Sequence, residues 1–255
     1  MTEIVRLAPE GESPIRIAMW SGPRNISTAM MRSFGSRADC AVSDEPFYGA
    51  FLKASGEPHP MAAETIADMD CDWDSVLKTQ SGEAPGGAPV WYQKHMPHHM
   101  IGPIDIRHMP DHRHAFLIRA PERVVASYRA KNELRRAEML GFAQLREYFD
   151  IEADRTGSAP VVADSDAILS DPAGILSTLC ERLGIARDPA MLSWAKGPLP
   201  EDGVWGAHWY DKVNASTGFG PAPKSFPDLE GKYREVADAC RDDYEYLALH
   251  ALVAV

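Results

Sequence analysis

The sequence predicts an α/β fold in which a parallel sheet is flanked by helices in a three-layer architecture. Short apolar segments alternate with helical patterns along the chain, as in sheets whose strands are joined by crossover helices. Chemically active side chains follow the predicted strands, and parallel sheets bind ligands at the carboxyl ends of their strands. The chain has 255 residues, of which 45% are apolar, which suits one domain over residues 1–255 with a sizeable core.

Five segments have the alternation or the continuous apolar core of strands: residues 15–20, 41–43, 90–96, 114–120 and 160–165. Helical spacing or helix-start signals mark five further segments: residues 24–37, the region near 61–79, 121–132, 171–185 and 229–252. The remaining stretches are a polar lead-in, a turn-rich loop and a loop-rich segment expected to be a lid or substrate segment: residues 1–14, 81–89 and 197–227.

Charge and composition exclude several classes of protein. The net charge of −11 argues against a nucleic-acid or anionic-membrane binder. The sequence contains no apolar run long enough for a membrane span or a signal peptide. The four cysteines are widely spaced, as expected of reduced thiols, so we expect a cytoplasmic protein. Nothing in the sequence indicates an oligomeric state.

The segment SGPRNIST, residues 21–28, joins the first strand to the first helix. A helix beginning near Asn25 would aim its free N–H groups at the strand end, where the helix dipole is also positive. Arg24, Ser27 and Thr28 add donors at the same place. This pattern predicts a phosphate or sulfate site, although it lacks the Gly-Lys pair of the usual phosphate-binding loop. An ordinary capped helix is the alternative.

A second strand-to-helix junction strengthens the prediction of an anion site. Arg119 ends the strand at 114–120, and Ser127 follows eight positions later on the next helix. Both side chains can reach one phosphate, and Arg123 is a third nearby cation. An acidic protein that binds a polyanion must gather its basic residues locally, as they are gathered here.

The two junctions together resemble the sulfotransferases that use 3'-phosphoadenosine 5'-phosphosulfate (PAPS). The first family motif, similar to P-K-S-G-T-T, falls on residues 23–28. The family's 3'-phosphate motif falls on Arg119, Pro121 and Ser127. Residues 164–185 are similar to the family's acidic-strand, Asp-Pro and Leu-Gly-Ile segment.

The resemblance covers about residues 15–190 and narrows to a divergent branch. WSGPRNISTAM followed by DEPFYGAFL is similar to sulfotransferase-like proteins, some of which, in plants, carry an aminotransferase-like label. No pyridoxal-phosphate site is evident in this sequence.

The resemblance implies a P-loop nucleotide-binding fold, PAPS as co-substrate, a hydroxyl or amine of a small molecule as acceptor, and no required metal. The residues it implies for nucleotide binding are Gly22, Pro23, Arg24, Asn25, Ile26, Ser27, Thr28, Arg119 and Ser127. The family's C-terminal R-K-G stretch is missing. The residues expected to take its place near the nucleotide are Lys212, Ser216, Thr217 and Gly218.

Two residues of the first motif depart from the family pattern. Arg24 replaces a lysine, which keeps the charge but presents it as a fork. We expect Arg24 to stabilise the bridging oxygen of the leaving phosphate. Ile26 replaces a glycine, so a less tight loop is expected there.

Two residues compete for the role of the base that deprotonates the acceptor. Lys94 and His95 are similar to the family's K-x-H-x-P segment. In many members the histidine of that segment is the base and the lysine contacts the transferring group, so the resemblance implies His95 as the first candidate base. Here the two are adjacent, so strand alternation would point them to opposite faces. Glu45, at the end of the second strand, is the other candidate base. Both candidates stay open.

Other functions remain compatible with these residues. A kinase-like phosphotransferase would need a magnesium-binding carboxylate, for which only Asp44 can be proposed. A non-catalytic nucleotide-binding protein is the third hypothesis. His98 and His99 beside His95 suggest a metal site, which we do not favour. The aromatic side chains expected to form a lid or acceptor pocket, or simply to pack on the core, are Trp205, Trp209, Tyr210 and Phe219.

Overall fold

The computed structural model describes residues 13–254, and a five-stranded parallel sheet forms its centre. The strands are β1 (Ile15–Ser21), β2 (Cys40–Asp44), β3 (Val90–His95), β4 (Arg113–Ile118) and β5 (Val161–Asp164). Their order across the sheet is β2-β3-β1-β4-β5, and each neighbouring pair is parallel. The predicted fold class is therefore confirmed. Most of the predicted lead-in, residues 1–12, lies outside the described residues.

The described chain contains α1 (Ser27–Gly35), α2 (Tyr48–Ser55), α3 (Ala62–Asp68), α4 (Trp73–Gln80), α5 (Pro121–Arg129), α6 (Phe142–Thr156), α7 (Ser165–Ser170), α8 (Pro172–Arg182), α9 (Gly206–Trp209), α10 (Asp211–Asn214), α11 (Lys232–Ala239) and α12 (Arg241–Ala248). Short 3-10 helices cover Pro85–Gly87, Pro97–His99, Ile106–His108, Ala137–Leu140 and Pro189–Leu192.

Several helices differ from their predicted extents. The predicted closing helix is two helices, α11 and α12, which meet at Cys240, and the helical region near 61–79 is also divided into two. The sequence analysis did not identify α2 or α6. Phe142, Leu145 and Phe149 are buried along one face of α6, so its helical spacing was present in the sequence.

The core lies on both faces of the sheet, which makes the three layers. Side chains alternate along β1, so Met19 faces α1 and α8, whereas Trp20 faces α6 and α12. Phe34 and Leu179 complete the first face. Phe149 packs on the second.

The four cysteines form no disulfide with one another, and Cys180 and Cys240 are buried. Burial raises the pKa of the Cys240 thiol to about 12, so this thiol stays protonated. In residues 13–254 no helix combines the length and the apolar character that a membrane span requires.

The segment at residues 197–227 is joined to α1 by a buried ion pair. Arg32 on α1 is only 1% exposed. Its Nη2 lies 2.6 Å from Asp202 Oδ2 and 2.8 Å from Asn214 Oδ1. The segment, expected to be loop-rich, also contains the short helices α9 and α10. It is therefore fixed to the helix that follows β1.

We expect Asp202→Ala to lower the free energy of unfolding by about 3 to 5 kcal/mol, because it leaves the Arg32 guanidinium buried without its carboxylate. Urea denaturation measures this change. Asp211→Ala is the control, since Asp211 pairs with Lys131 but has a 71% exposed side chain. That variant should lose less than about 1 kcal/mol. Equal losses in both variants would contradict the role of the Arg32 pair.

Candidate functional site

A cavity of about 620 Å³ lies at the carboxyl ends of the central strands. Its wall includes the loop after β1, Glu45 after β2, Lys94 of β3 and Arg119 after β4. The 197–227 segment supplies much of the remaining wall. This volume is typical of sites for small molecules and nucleotides.

The loop after β1 presents unused backbone donors to the cavity. Arg24 and Ile26 have left-handed backbone conformations, with φ of 66° and 56°, and α1 begins only at Ser27. Within the described chain, the N–H groups of residues 24–29 donate to no backbone carbonyl. Such a loop at a helix N-terminus is a site for an anion.

The loop at Ile26 was expected to be less tight than one with glycine at this position. Ile26 adopts the left-handed conformation that glycine would take, and its side chain packs partly against the core. A β-branched residue in this conformation costs about 1–3 kcal/mol, which the packing offsets. Gly22 does not line the cavity. A Cβ at this position would collide with the carbonyl oxygen of Leu140, so glycine allows the backbone at Leu140 to pack against the loop.

The two predicted anion motifs meet in space. Arg24 Nε donates to Ser127 Oγ over 3.0 Å, and Arg119 Nη1 donates to the Arg24 carbonyl over 2.9 Å. All three side chains line the cavity, and Arg119 Nε is buried without a hydrogen-bond partner. Arg123 lies outside the cavity wall and forms an ion pair with Asp166, whose Oδ1 also lies 3.8 Å from Arg119 Nε.

Lys94 forms the most deeply buried ionic cluster of the cavity. Its Nζ donates to Asp44 Oδ1 at 2.7 Å, to Glu45 Oε1 at 2.6 Å and to the Tyr210 hydroxyl at 2.8 Å. Burial alone would lower the pKa of Lys94, but the two carboxylates outweigh it and hold that pKa well above its ordinary value. Burial raises the pKa of Glu45 despite the opposing charge of Lys94.

The structure does not bring His95 to the cavity. Lys94 turns toward the cavity, so its neighbour on β3 turns to the opposite face, as strand alternation predicts. There His95 is buried against Trp20, with ring centroids 4.7 Å apart, and its Nε2 lies 3.2 Å from Gln93 Oε1. His99 does line the cavity, with Nδ1 3.8 Å from Glu45 Oε2.

The 197–227 segment carries some, but not all, of its expected site residues to the cavity. Ser216 and Gly218 line it, together with Lys212 and the four expected aromatic side chains. Thr217 does not; its carbonyl accepts a hydrogen bond from Trp194 N over 3.1 Å. Ser216 Oγ lies 3.1 Å from Trp194 Nε1 and donates to the Val213 carbonyl at 2.7 Å, so its hydroxyl is used within the fold.

Asp44 was not predicted as a partner of Lys94, and Tyr48 was not predicted as a wall residue. Asp44 stands directly before Glu45 at the end of β2, so its position held the necessary signal. Over residues 13–254, no group of three His, Cys, Asp or Glu side chains is arranged to hold a metal ion.

The burial of three histidines leads us to expect that the protein loses stability in acid. Burial lowers the pKa of His95, His114 and His112, the last to about 4. These groups are neutral in the fold but gain protons below about pH 6.5 when the chain unfolds. Their contribution is therefore present above pH 6.5 and is lost as the pH falls toward the folded values.

We expect the free energy of unfolding to fall by about 1 kcal/mol per buried histidine between pH 6.5 and 5.5. Urea denaturation at the two pH values measures this loss. His95→Gln should reduce the loss by about 1 kcal/mol, whereas His208→Gln, at an exposed position, should not change it. An unchanged pH dependence in His95→Gln would contradict the neutral buried state.

Comparisons with known proteins agree with this fold. The family model described as "Sulfotransferase domain" matches residues 15–243. Branched-chain-amino-acid aminotransferase-like protein 2 of Arabidopsis thaliana is 33% identical over 237 residues, which are 92% of this chain and 41% of that protein. The similarly named protein 1 is 36% identical over 214 residues, 84% of this chain and 38% of that protein. The chain thus spans about two fifths of the length of these curated relatives.

Solved structures support the fold at low sequence identity. The sulfotransferase domain of the Synechococcus PCC 7002 olefin synthase is 16% identical, with a TM-score of 0.51, over 92% of this chain and 98% of that one. A sulfotransferase from Alicyclobacillus acidocaldarius is 12% identical, with a TM-score of 0.54, over 94% and 98%.

Proposed function

The chain belongs to the sulfotransferase domain family, and we propose that it transfers the sulfuryl group of PAPS to a hydroxyl or amine of a small molecule. One observation carries the proposal. The free N–H groups of the loop after β1, the Arg119–Ser127 pair and the Lys94–Glu45 pair all line one cavity. Such a cavity can hold both ends of a phosphosulfate nucleotide and the reacting group of an acceptor.

Arg119 and Ser127 are proposed to bind the 3'-phosphate. Arg119 Nε is buried without a hydrogen-bond partner, since Asp166 Oδ1 lies 3.8 Å away, and an anion oxygen would supply one. The loop N–H groups would bind the 5'-phosphosulfate. Arg24, which contacts Ser127 in this structure, would then turn to the bridging oxygen as the 3'-phosphate takes over that hydroxyl. Ser216 and Gly218 are placed to border the nucleotide.

Glu45 is the base that we propose, in preference to His95, because it lines the cavity and His95 does not. The acceptor oxygen or nitrogen forms a bond to sulfur as the bond from sulfur to the phosphate oxygen breaks. The acceptor proton passes to Glu45, and Lys94 stabilises the charge on the transferring oxygens. Sulfuryl transfer, like phosphoryl transfer, depends mainly on such positioning and charge stabilisation.

The alternatives have less support from the same residues. A kinase-like reaction would need Asp44 for magnesium, but Asp44 is bound to Lys94 and Tyr210. A pyridoxal-phosphate enzyme needs a lysine that can form a Schiff base as a neutral amine. Lys94 is instead held charged by two carboxylates. This chain also spans only about two fifths of the relatives named aminotransferase-like, so that name is not carried over to it.

We expect Arg119→Ala to weaken binding of 3'-phosphoadenosine 5'-phosphate by about 10- to 100-fold, because charged hydrogen bonds to the 3'-phosphate are lost. Binding of AMP, which lacks that phosphate, should change less than about threefold. Calorimetry without magnesium measures both.

Arg123→Ala is the matched control, since Arg123 also pairs with Asp166 but lies outside the cavity wall. It should keep the affinity of the parent protein for the bisphosphate. The same titrations with ATP test the proposed function itself, because tight binding of ATP without binding of the bisphosphate would contradict it. Equal losses for bisphosphate and AMP in Arg119→Ala would contradict the 3'-phosphate assignment.

We expect Glu45→Gln to lower kcat by about 100- to 10,000-fold while bisphosphate affinity stays within about threefold. The assay follows sulfate transfer from PAPS to a panel of phenols, alcohols and amines. In the parent protein the rate should rise with pH through the raised pKa of Glu45, and the variant should lack this rise. His95→Gln should keep the parent rate; the reverse pattern would transfer the role of base to His95.

A further inference from the structure

Lys94, Asp44 and Tyr210 close a hydrogen-bonded ring at the reacting end of the cavity. Lys94 Nζ lies 2.7 Å from Asp44 Oδ1 and 2.8 Å from the Tyr210 hydroxyl. The Tyr210 hydroxyl donates in turn to Asp44 Oδ2. The side chains of Lys94 and Asp44 are each only 1% exposed, so water does not compete for these bonds.

The side chains of the ring use all of their hydrogen-bond donors. An ammonium group has three N–H donors, and those of Lys94 are directed at Asp44, Tyr210 and Glu45. The Tyr210 oxygen also lies 3.3 Å from Trp205 Nε1, which can donate to it. Burial and the neighbouring carboxylates raise the pKa of Tyr210 well above its ordinary value, so its proton stays available to Asp44.

We propose that Asp44 and Tyr210 are positioning residues that fix the Lys94 ammonium for contact with the sulfuryl group. This inference rests on the proposed function. It assigns different roles to the three partners of Lys94. Asp44 and Tyr210 keep their bonds throughout, whereas Glu45 is the partner that changes.

The N–H that Lys94 directs at Glu45 is the one that a sulfuryl oxygen of bound PAPS can share, and proton transfer to Glu45 then releases it to the sulfuryl oxygens. When Glu45 accepts the acceptor's proton, its carboxylate loses its charge and its attraction to Lys94 weakens. Lys94 keeps its own proton and retains the charge of Asp44 as its counterpart. No other group gains or loses a proton, and the only bonds exchanged at sulfur are those to the acceptor and to the leaving phosphate.

The source of Tyr210 gives the 197–227 segment a role beyond covering the cavity. Tyr210 directly precedes α10, in the segment that Asp202 and Asn214 join to Arg32. A residue from the last quarter of the sequence thus completes the environment of a lysine on β3. Without this segment, Lys94 would lose one of its three partners.

Calorimetry with PAPS and with 3'-phosphoadenosine 5'-phosphate, each without acceptor, separates positioning from structural support. The two nucleotides differ by the sulfuryl group that Lys94 is proposed to contact. Tyr210→Phe keeps the aromatic side chain but removes the hydroxyl. We expect it to weaken PAPS binding by about tenfold, the value of one charged hydrogen bond, and to leave bisphosphate binding within about twofold.

Lys94→Met and the double variant complete a double-mutant cycle. Because Tyr210 acts through Lys94, the double variant should bind PAPS no more weakly than Lys94→Met alone. Tyr246→Phe is the matched control, since it also removes a phenol-to-carboxylate bond, 2.8 Å to Asp150, but outside the cavity wall. It should bind both nucleotides like the parent protein.

Each result bears on one of the two claims. Three results would overturn the positioning role: parent-like PAPS binding in Tyr210→Phe, equal losses for both nucleotides, or additive losses in the double variant. If the parent protein binds the bisphosphate, these results leave the proposed function standing. A parent protein that binds neither nucleotide would overturn the proposed function and the positioning role with it. Thermal melting of every variant confirms that the folded protein is being measured.

Discussion

The site depends on the burial of the Lys94 ammonium between two carboxylates. An isolated buried ammonium costs several kcal/mol, so its position requires partners with good geometry. Asp44 and Glu45 supply them because β2 lies directly beside β3, with Asp44 opposite Lys94 in the register. The third partner, Tyr210, requires the 197–227 segment to cross the end of the sheet. One charge thus constrains the strand order, the register and the path of a distant segment.

The anion site depends on a different pair of strands in the same sheet, β1 and β4. Because β4 lies beside β1, the strand ends that carry Arg119 and the loop at residues 22–28 meet at one edge. The two sites differ in their electrostatics: Lys94 is enclosed by carboxylates at hydrogen-bond distance, whereas Arg24 has a hydroxyl partner and Arg119 Nε has Asp166 Oδ1 at 3.8 Å. An acidic chain with a net charge of −11 can therefore still offer positive charge to a nucleotide at one point.

Much of this arrangement could be predicted from the sequence because it is local. The strands and the strand-end positions follow from periodicity and spacing, whereas the two anion motifs were paired through the family resemblance. Alternation also predicted that Lys94 and His95 face apart, but it could not say which of them faces the cavity. That choice depends on which face of β3 packs against α1, as Tyr92 does through Phe34. The contact of Tyr210 with Lys94 joins residues 116 positions apart, and no local pattern records it.

Ile26 shows why a departure in sequence from a family motif is not always a departure in structure. A glycine is favoured at such a position because left-handed backbone is free of strain only without a Cβ. Ile26 nevertheless takes that conformation, and packing of its side chain against the core offsets the strain. This conformation sets the directions of the backbone N–H groups, which would bind the anion. Arg24, with φ of 66°, is also left-handed and carries the positive charge. Backbone shape and charge, rather than glycine and lysine as such, therefore determine which ligand the loop can hold.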